Sequence, residues 1–253
     1  MGRLDGKVAV VTGSGKGIGE AIAKRFAKEG ANVVVNARSA ENVSKVVNEI
    51  NSAYCGKAVG CAGDVSKREN AERLISTAVE HFGRLDILVN NAGFGKDNLL
   101  VNMTEQEFDE VIEVHLKGAF LCTQAAAKVM IQQKSGRIIN VTSRAGIRGN
   151  VGQINYSSAK AALIGFTKTC ALELGRRYGI TVNAVAPAAW TEMTKNVPEK
   201  VKPVMLENRV LARMADLDNY PDEITGIFVL LASDEGGYMT GQIISVDGGG
   251  IGL

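Results

Sequence analysis

Histidine and cysteine are scarce in this chain: two and four residues in 253. Cys55, Cys61, Cys122 and Cys170 form no Cys-x-x-Cys pair. With so few imidazoles, a zinc centre is not expected, and the thiols read as reduced in a cytoplasmic protein. Proline is equally sparse, four against 29 glycines, so tight turns rather than stiff linkers join the elements. No apolar run approaches the ~20 residues of a membrane-spanning helix, and the N-terminus does not read as a signal peptide. A net charge of +2 with no block of one sign excludes a nucleic-acid footprint. Repeats and low-complexity segments are absent. What remains is an ordinary globular composition, 45% hydrophobic and 22% charged, long enough for one α/β domain.

Short valine-rich runs alternate with helix-like runs along the chain. Strands are expected at Lys7–Val11, Asn32–Val35, Ala58–Ala62, Ile87–Asn90, Arg137–Val141, Thr181–Val185 and Gln242–Val246. Helices are expected at Glu20–Glu29, Glu41–Ser52, Lys67–Phe82, Val151–Tyr178 and Pro221–Ser233. Thr104 and Glu107 form a capping-box pattern that opens another, to about Gln133. Seven strands with interleaved helices and no composition break predict a single doubly wound, mainly parallel sheet over residues 1–253, a Rossmann fold. Residues 188–219 break the rhythm; a stretch this long without a period, after the sixth strand, reads as a substrate lid.

The turn after the first strand, Thr12-Gly13-Ser14-Gly15-Lys16-Gly17-Ile18-Gly19, lets the backbone approach a pyrophosphate at a helix N-terminus. No carboxylate follows the second strand before Glu41. Arg38 stands there instead, with a planar fork of donors suited to a 2′-phosphate, and Lys16 adds a second cation. NADP(H) is therefore expected rather than NAD(H). Farther on, Tyr156 and Lys160 lie four residues apart on one helical face. An ammonium ~4 Å from a phenolate, at an effective dielectric of ~20, interacts with it by roughly 4 kcal/mol. Such a pair can supply a general acid/base near neutral pH.

Together, Thr12-Gly13-x-x-x-Gly17-Ile18-Gly19, Asn90-Asn91-Ala92-Gly93, Ser143, Tyr156-x-x-x-Lys160 and Asn183-Ala184-Val185-Ala186-Pro187 resemble the short-chain dehydrogenase/reductases over nearly the whole chain. The resemblance implies a nicotinamide-dependent oxidoreductase, commonly a homotetramer. It makes Tyr156 the proton donor to a carbonyl oxygen, Ser143 a second donor to that oxygen, and Lys160 the residue that lowers the Tyr156 pKa and holds the nicotinamide ribose. By the same resemblance the cofactor would run along Gly13, Ser14, Lys16, Gly17, Ile18, Gly19, Arg38, Ser39, Asp64, Val65, Asn91, Ala92, Gly93, Tyr156, Lys160, Pro187 and Thr191.

Two departures stand out. His115 occupies the position of an asparagine that supports a water in the family's proton relay, and it reads here as a structural substitute. Pro187-Ala188-Ala189-Trp190-Thr191 replaces a Pro-Gly pattern. Both features resemble the hydroxyacyl-CoA dehydrogenase units of multifunctional β-oxidation enzymes, while much of the rest is similar to 3-oxoacyl thioester reductases. A 3-oxoacyl or 3-hydroxyacyl thioester of acyl carrier protein or CoA is thus the implied substrate. An alicyclic-alcohol or hydroxysteroid dehydrogenase is the alternative, and a non-catalytic nucleotide-binding regulator is the rival of another class.

Overall fold

The computed structural model describes residues 2–54, 57–191, 202–207, 209–211, 213–219 and 221–250. It opens with β1 (Val8–Val11), α1 (Gly17–Lys28), β2 (Asn32–Val35), α2 (Ala40–Ala53), β3 (Ala58–Gly60), α3 (Arg68–Phe82) and β4 (Ile87–Asn90). The second half contains α4 (Glu105–Ile112), α5 (Gly118–Gln133), β5 (Gly136–Val141), α6 (Arg144–Arg148), α7 (Ile154–Tyr178) and β6 (Ile180–Pro187). A two-residue pair, β7 (Ala189–Trp190) with β8 (Ala215–Asp216), precedes the helix Asp222–Ala232 and the last strand, β9 (Ile243–Val246).

The strands form one parallel seven-stranded sheet in the order β3-β2-β1-β4-β5-β6-β9. Alternation along each strand divides the core in two. Ala9, Val11, Val33, Val35, Ile87 and Val89 face α1, α2 and Asp222–Ala232; Val8, Val10, Val34, Leu88 and Ile138 face α3, α5 and α7. Burial on both faces explains why these strands read as unbroken valine runs rather than as alternating ones. Strand order reverses between β1 and β4, so their C-terminal ends open the crevice where such sheets bind ligands.

The helix expected from Thr104 to about Gln133 is three segments. Thr104 and Glu107 do form the capping box, but a π-helical turn over Glu113–Lys117 separates α4 from α5. The extra residue in that turn accompanies His115, which is 3% exposed and bonded to the loop after β4. Sequence periodicity has no signature for one inserted residue. Among the described residues, α6, the β7–β8 pair, a short helix at Lys202–Glu207 and a 3-10 turn at Asp234–Gly236 lie outside the expected set. Of the span 188–219, residues 192–201, 208 and 212 lie outside the described residues, as does Cys55.

Candidate active site

The glycine turn joins β1 to α1 at the mouth of the crevice. Gly13 has φ +64°, and a side chain on it would meet the Ala92 Cα at 2.7 Å. The turn after β1 and the turn after β4 thus touch backbone to backbone. Thr12 binds them: its hydroxyl accepts from the Asn91 and Ala92 N–H groups, each at 2.9 Å. Asn91 returns the contact, its amide donating to the Thr12 and Gly13 carbonyls at 2.9 and 3.1 Å. Lys16, the N-cap of α1, makes no side-chain capping bond, and the helix begins at Gly17. Gly17, Ile18 and Gly19 therefore present backbone N–H groups at a positive helix end, the arrangement that receives a pyrophosphate.

Ser14 shapes this turn from inside. It is 0% exposed, and its hydroxyl donates to Val11 O at 2.6 Å. Its expected place beside the cofactor is therefore a supporting one. Asn36, which sequence reasoning missed, does similar work: it accepts from Gly13 N at 3.3 Å and donates to Cys61 O and Gly63 O. Arg38 and Ser39 follow β2, Ser39 capping α2 through Asn42 N at 3.2 Å. Asp64 caps its own turn by accepting from Ser66 N at 2.9 Å, and Val65 is buried against the core. Pro187 ends β6. Thr191 lies beside Gly17, its methyl 3.9 Å from where a Gly17 side chain would begin. Backbone approach, an uncapped helix end and a cation beyond β2 fit a dinucleotide. Among the described residues, no group of side chains could hold a metal ion.

The reacting groups gather beyond β5. Ser143 is the N-cap of α6, its hydroxyl accepting from Ala145 N at 3.2 Å, and it faces the Tyr156 phenol closely enough to pull the phenol pKa down. Asn155 locks the start of α7: it is 0% exposed, donates to Lys96 O at 2.9 Å and Glu107 O at 3.1 Å, and accepts from Tyr156 N at 2.7 Å. Gln153, the N-cap of α7, donates from its side chain to Asp97 at 2.9 Å. Thr142 donates to Lys160 O at 2.7 Å, and Lys160 Nζ to Val141 O at 2.5 Å.

The Lys160 ammonium thus meets the Val141 carbonyl and lies 5.6 Å from the Tyr156 ring centre. Burial pushes Tyr156 above its ordinary value, the Ser143 hydroxyl pulls it back, and the Asp97 carboxylate raises it again. Burial also brings Lys160 down to about 7.

His115 stands edge-on to Tyr156, ring centres 5.1 Å apart and planes at 89°. Its Nε2 lies 3.0 Å from Phe94 N and 2.8 Å from Phe94 O, accepting from the first or donating to the second according to the tautomer. Burial, then the neighbouring Lys160 charge, lower it to about 3, against the raising effect of the Phe94 bond. A neutral imidazole at every physiological pH fits a structural residue rather than an acid/base.

A family model described as short chain dehydrogenase matches residues 7–202. The chain is 44% identical to a 3-oxoacyl-[acyl-carrier-protein] reductase of Thermotoga maritima, over 98% of each chain. It is 41% identical to the (2S)-[(R)-hydroxy(phenyl)methyl]succinyl-CoA dehydrogenase subunit of Thauera aromatica, over 97% of each. Among solved structures, levodione reductase superposes with a TM-score of 0.92 at 33% identity, covering 98% of each chain.

Proposed function

The chain belongs to the short-chain dehydrogenase family and is an oxidoreductase acting on CH–OH groups with a nicotinamide cofactor, and from that premise we propose that it interconverts a 3-oxoacyl and a 3-hydroxyacyl thioester with NADP(H). The thioester is that of acyl carrier protein or CoA, which the reductase and CoA-dehydrogenase relatives support. The observation that carries the chemistry is the Ser143 hydroxyl facing the phenol of Tyr156, whose backbone is held by a fully buried Asn155.

Bound nicotinamide supplies or accepts the hydride. Burial keeps the Tyr156 phenol protonated, so in ketone reduction its Oη holds the proton that the carbonyl oxygen takes up. The Ser143 hydroxyl is a second donor, fixed in advance by its place at the start of α6, for negative charge developing on that oxygen. Lys160 lines the floor between Tyr156 and β5 and would hold the nicotinamide ribose. Gly13, Lys16, Gly17, Ile18, Gly19, Ser39, Asp64, Val65, Asn91, Ala92, Gly93, Pro187 and Thr191 would border the rest of the cofactor, with Ser14 behind them. Arg38, exposed beyond β2 with no carboxylate beside it, supports a 2′-phosphate and hence NADP(H).

The span 188–219 serves as the substrate lid in this reading, within one domain. Exposed Leu172, Phe120 and Phe108, 81%, 41% and 36% accessible on α7, α5 and α4, support a homotetramer. No helix among the described residues is long and apolar enough to cross a membrane, in keeping with a cytoplasmic enzyme. The likeness to levodione reductase supports the runner-up, a ketone that is not a thioester. A binding-only regulator has no use for a Ser143–Tyr156–Lys160 group.

The test is a panel of acetoacetyl-CoA, an acyl-carrier thioester, cyclic ketones and oxosteroids with NADPH and NADH. The thioesters should show the highest kcat/KM, and NADPH should exceed NADH by about tenfold or more, as charge-assisted bonds to one phosphate imply. Higher kcat/KM for neutral ketones would transfer the reading to the runner-up.

A further inference from the structure

Arg38 follows β2 and Phe94 follows β4, and those two strands flank β1 in the sheet. A contact between the two residues must therefore cross the end of β1, above the glycine turn. The structure makes that contact: the Arg38 guanidinium carbon lies 5.6 Å from the centre of the Phe94 ring, within the range of a cation–π interaction.

Phe94 is an anchored platform. Its backbone N–H and C=O both meet His115 Nε2, at 3.0 and 2.8 Å. The two rings stand 6.2 Å apart. His115 in turn is held by the π-helical turn and fits only because residue 93 has no side chain, whose Cβ would fall 2.0 Å from the imidazole Cε1. Gly93, Phe94, His115 and the inserted residue of the helix thus form one unit that ends against the Arg38 guanidinium.

Stacking occupies the face of a guanidinium and leaves its N–H edge to another partner. An arginine on an exposed loop otherwise loses rotamer freedom when it takes a ligand, a cost that pre-organisation removes. We propose that Phe94 is a specificity-determining residue for the cofactor: it holds Arg38 across the crevice with its N–H edge placed for the 2′-phosphate of NADP(H). The inference rests on the reading of Arg38 as the phosphate-binding residue, and it assigns the discrimination to a pair rather than to one side chain. Its signature is selective, since NADH offers no phosphate to that edge.

Kd values for NADPH and NADH, measured by calorimetry on the full-length protein, test it in wild type, Phe94→Leu, Phe94→Trp, Arg38→Leu and the Arg38→Leu/Phe94→Leu double variant. Phe94→Leu should weaken NADPH about two- to tenfold, the range set by ordering one long side chain, and leave NADH unchanged. Phe94→Trp should retain NADPH affinity, and Phe94→Leu should add nothing once Arg38 is gone. Thermal melts establish that each variant is folded, and Phe94→Trp keeps the test decisive if the leucine variant is not. Equal weakening of both cofactors would make Phe94 a mere wall of the crevice and overturn the proposal. So would tighter NADPH binding by Phe94→Leu, which would show the ring competing with the phosphate. If Arg38→Leu leaves the NADPH Kd unchanged, the phosphate reading itself fails, whatever the Phe94 variants do.

Discussion

Replacing Gly93 by alanine should destabilise the protein by about 2–4 kcal/mol, far more than a one-methyl change on a loop ordinarily does. The added Cβ would lie 2.0 Å from Cε1, 2.5 Å from Nδ1 and 2.7 Å from Nε2 of His115. Non-bonded carbons settle at about 3.5–4.0 Å, so the imidazole must retreat by roughly 1.5 Å. Its Nε2 is held at 3.0 Å by Phe94 N, and the ring stands edge-on to Tyr156. Retreat therefore breaks the Phe94 bond, about 1 kcal/mol, in addition to about 1–3 kcal/mol of overpacking. Urea unfolding at constant m reads the loss directly. The partner change His115→Ser makes room for the methyl, so the double variant should be more stable than the sum of the single effects by about 1 kcal/mol or more. A Gly93→Ala variant within about 0.5 kcal/mol of wild type would refute the packing argument, and additivity in the cycle would show that the two residues do not meet.

Asn155→Ala strands the Lys96 and Glu107 carbonyls and frees the start of α7; it should cost about 2–3 kcal/mol and lower kcat more than it changes the NADPH Kd, and an unchanged kcat would separate Asn155 from the placement of Tyr156. His115 has a folded-state pKa of about 3 against 6.5 unfolded, so the unfolded chain binds the extra proton and stability falls as pH drops through about 6.5 toward 3. Between pH 6.5 and 5, above the range of Glu29, Glu49, Glu107, Glu110 and Glu223, whose partners hold them below 4.5, His115→Asn should flatten that slope in pH-dependent urea titrations. Lys160, lowered to about 7 from 10.5, makes stability climb between about pH 7 and 9 by the same sign, below the range where the raised thiols of Cys122 and Cys170 oppose it, and Lys160→Met should abolish the climb; a persistent rise would place its cause elsewhere.

The strand runs were legible because residues such as Val33, Val34 and Val35 are buried on both faces, which leaves an unbroken apolar signature. Spacing also pointed to the glycine turn and the Tyr156–Lys160 pair, and the family resemblance to Ser143. The supports of these residues were not legible. Asn36, Asn155 and Thr12 act through backbone groups from distant loops, and an isolated asparagine or threonine carries no periodicity to reveal such a bond. The π-helical turn is equally silent, although His115 was visible as a departure from pattern. The spacing of Tyr156 and Lys160 put both on one helical face, but nothing in it showed that the Lys160 ammonium would also meet the Val141 carbonyl, which comes from another strand.

The central claim, that the Tyr156 hydroxyl carries the reacting proton, is tested most directly by Tyr156→Phe. The substitution removes only the phenolic oxygen from a residue whose helix is anchored independently by Asn155. Single-turnover reduction of acetoacetyl-CoA, with the NADPH Kd measured on the same sample, should show a rate lower by about 10²-fold or more and an unchanged Kd. A variant that keeps its fold and its NADPH affinity and still turns over at more than about a tenth of the wild-type rate would contradict the account.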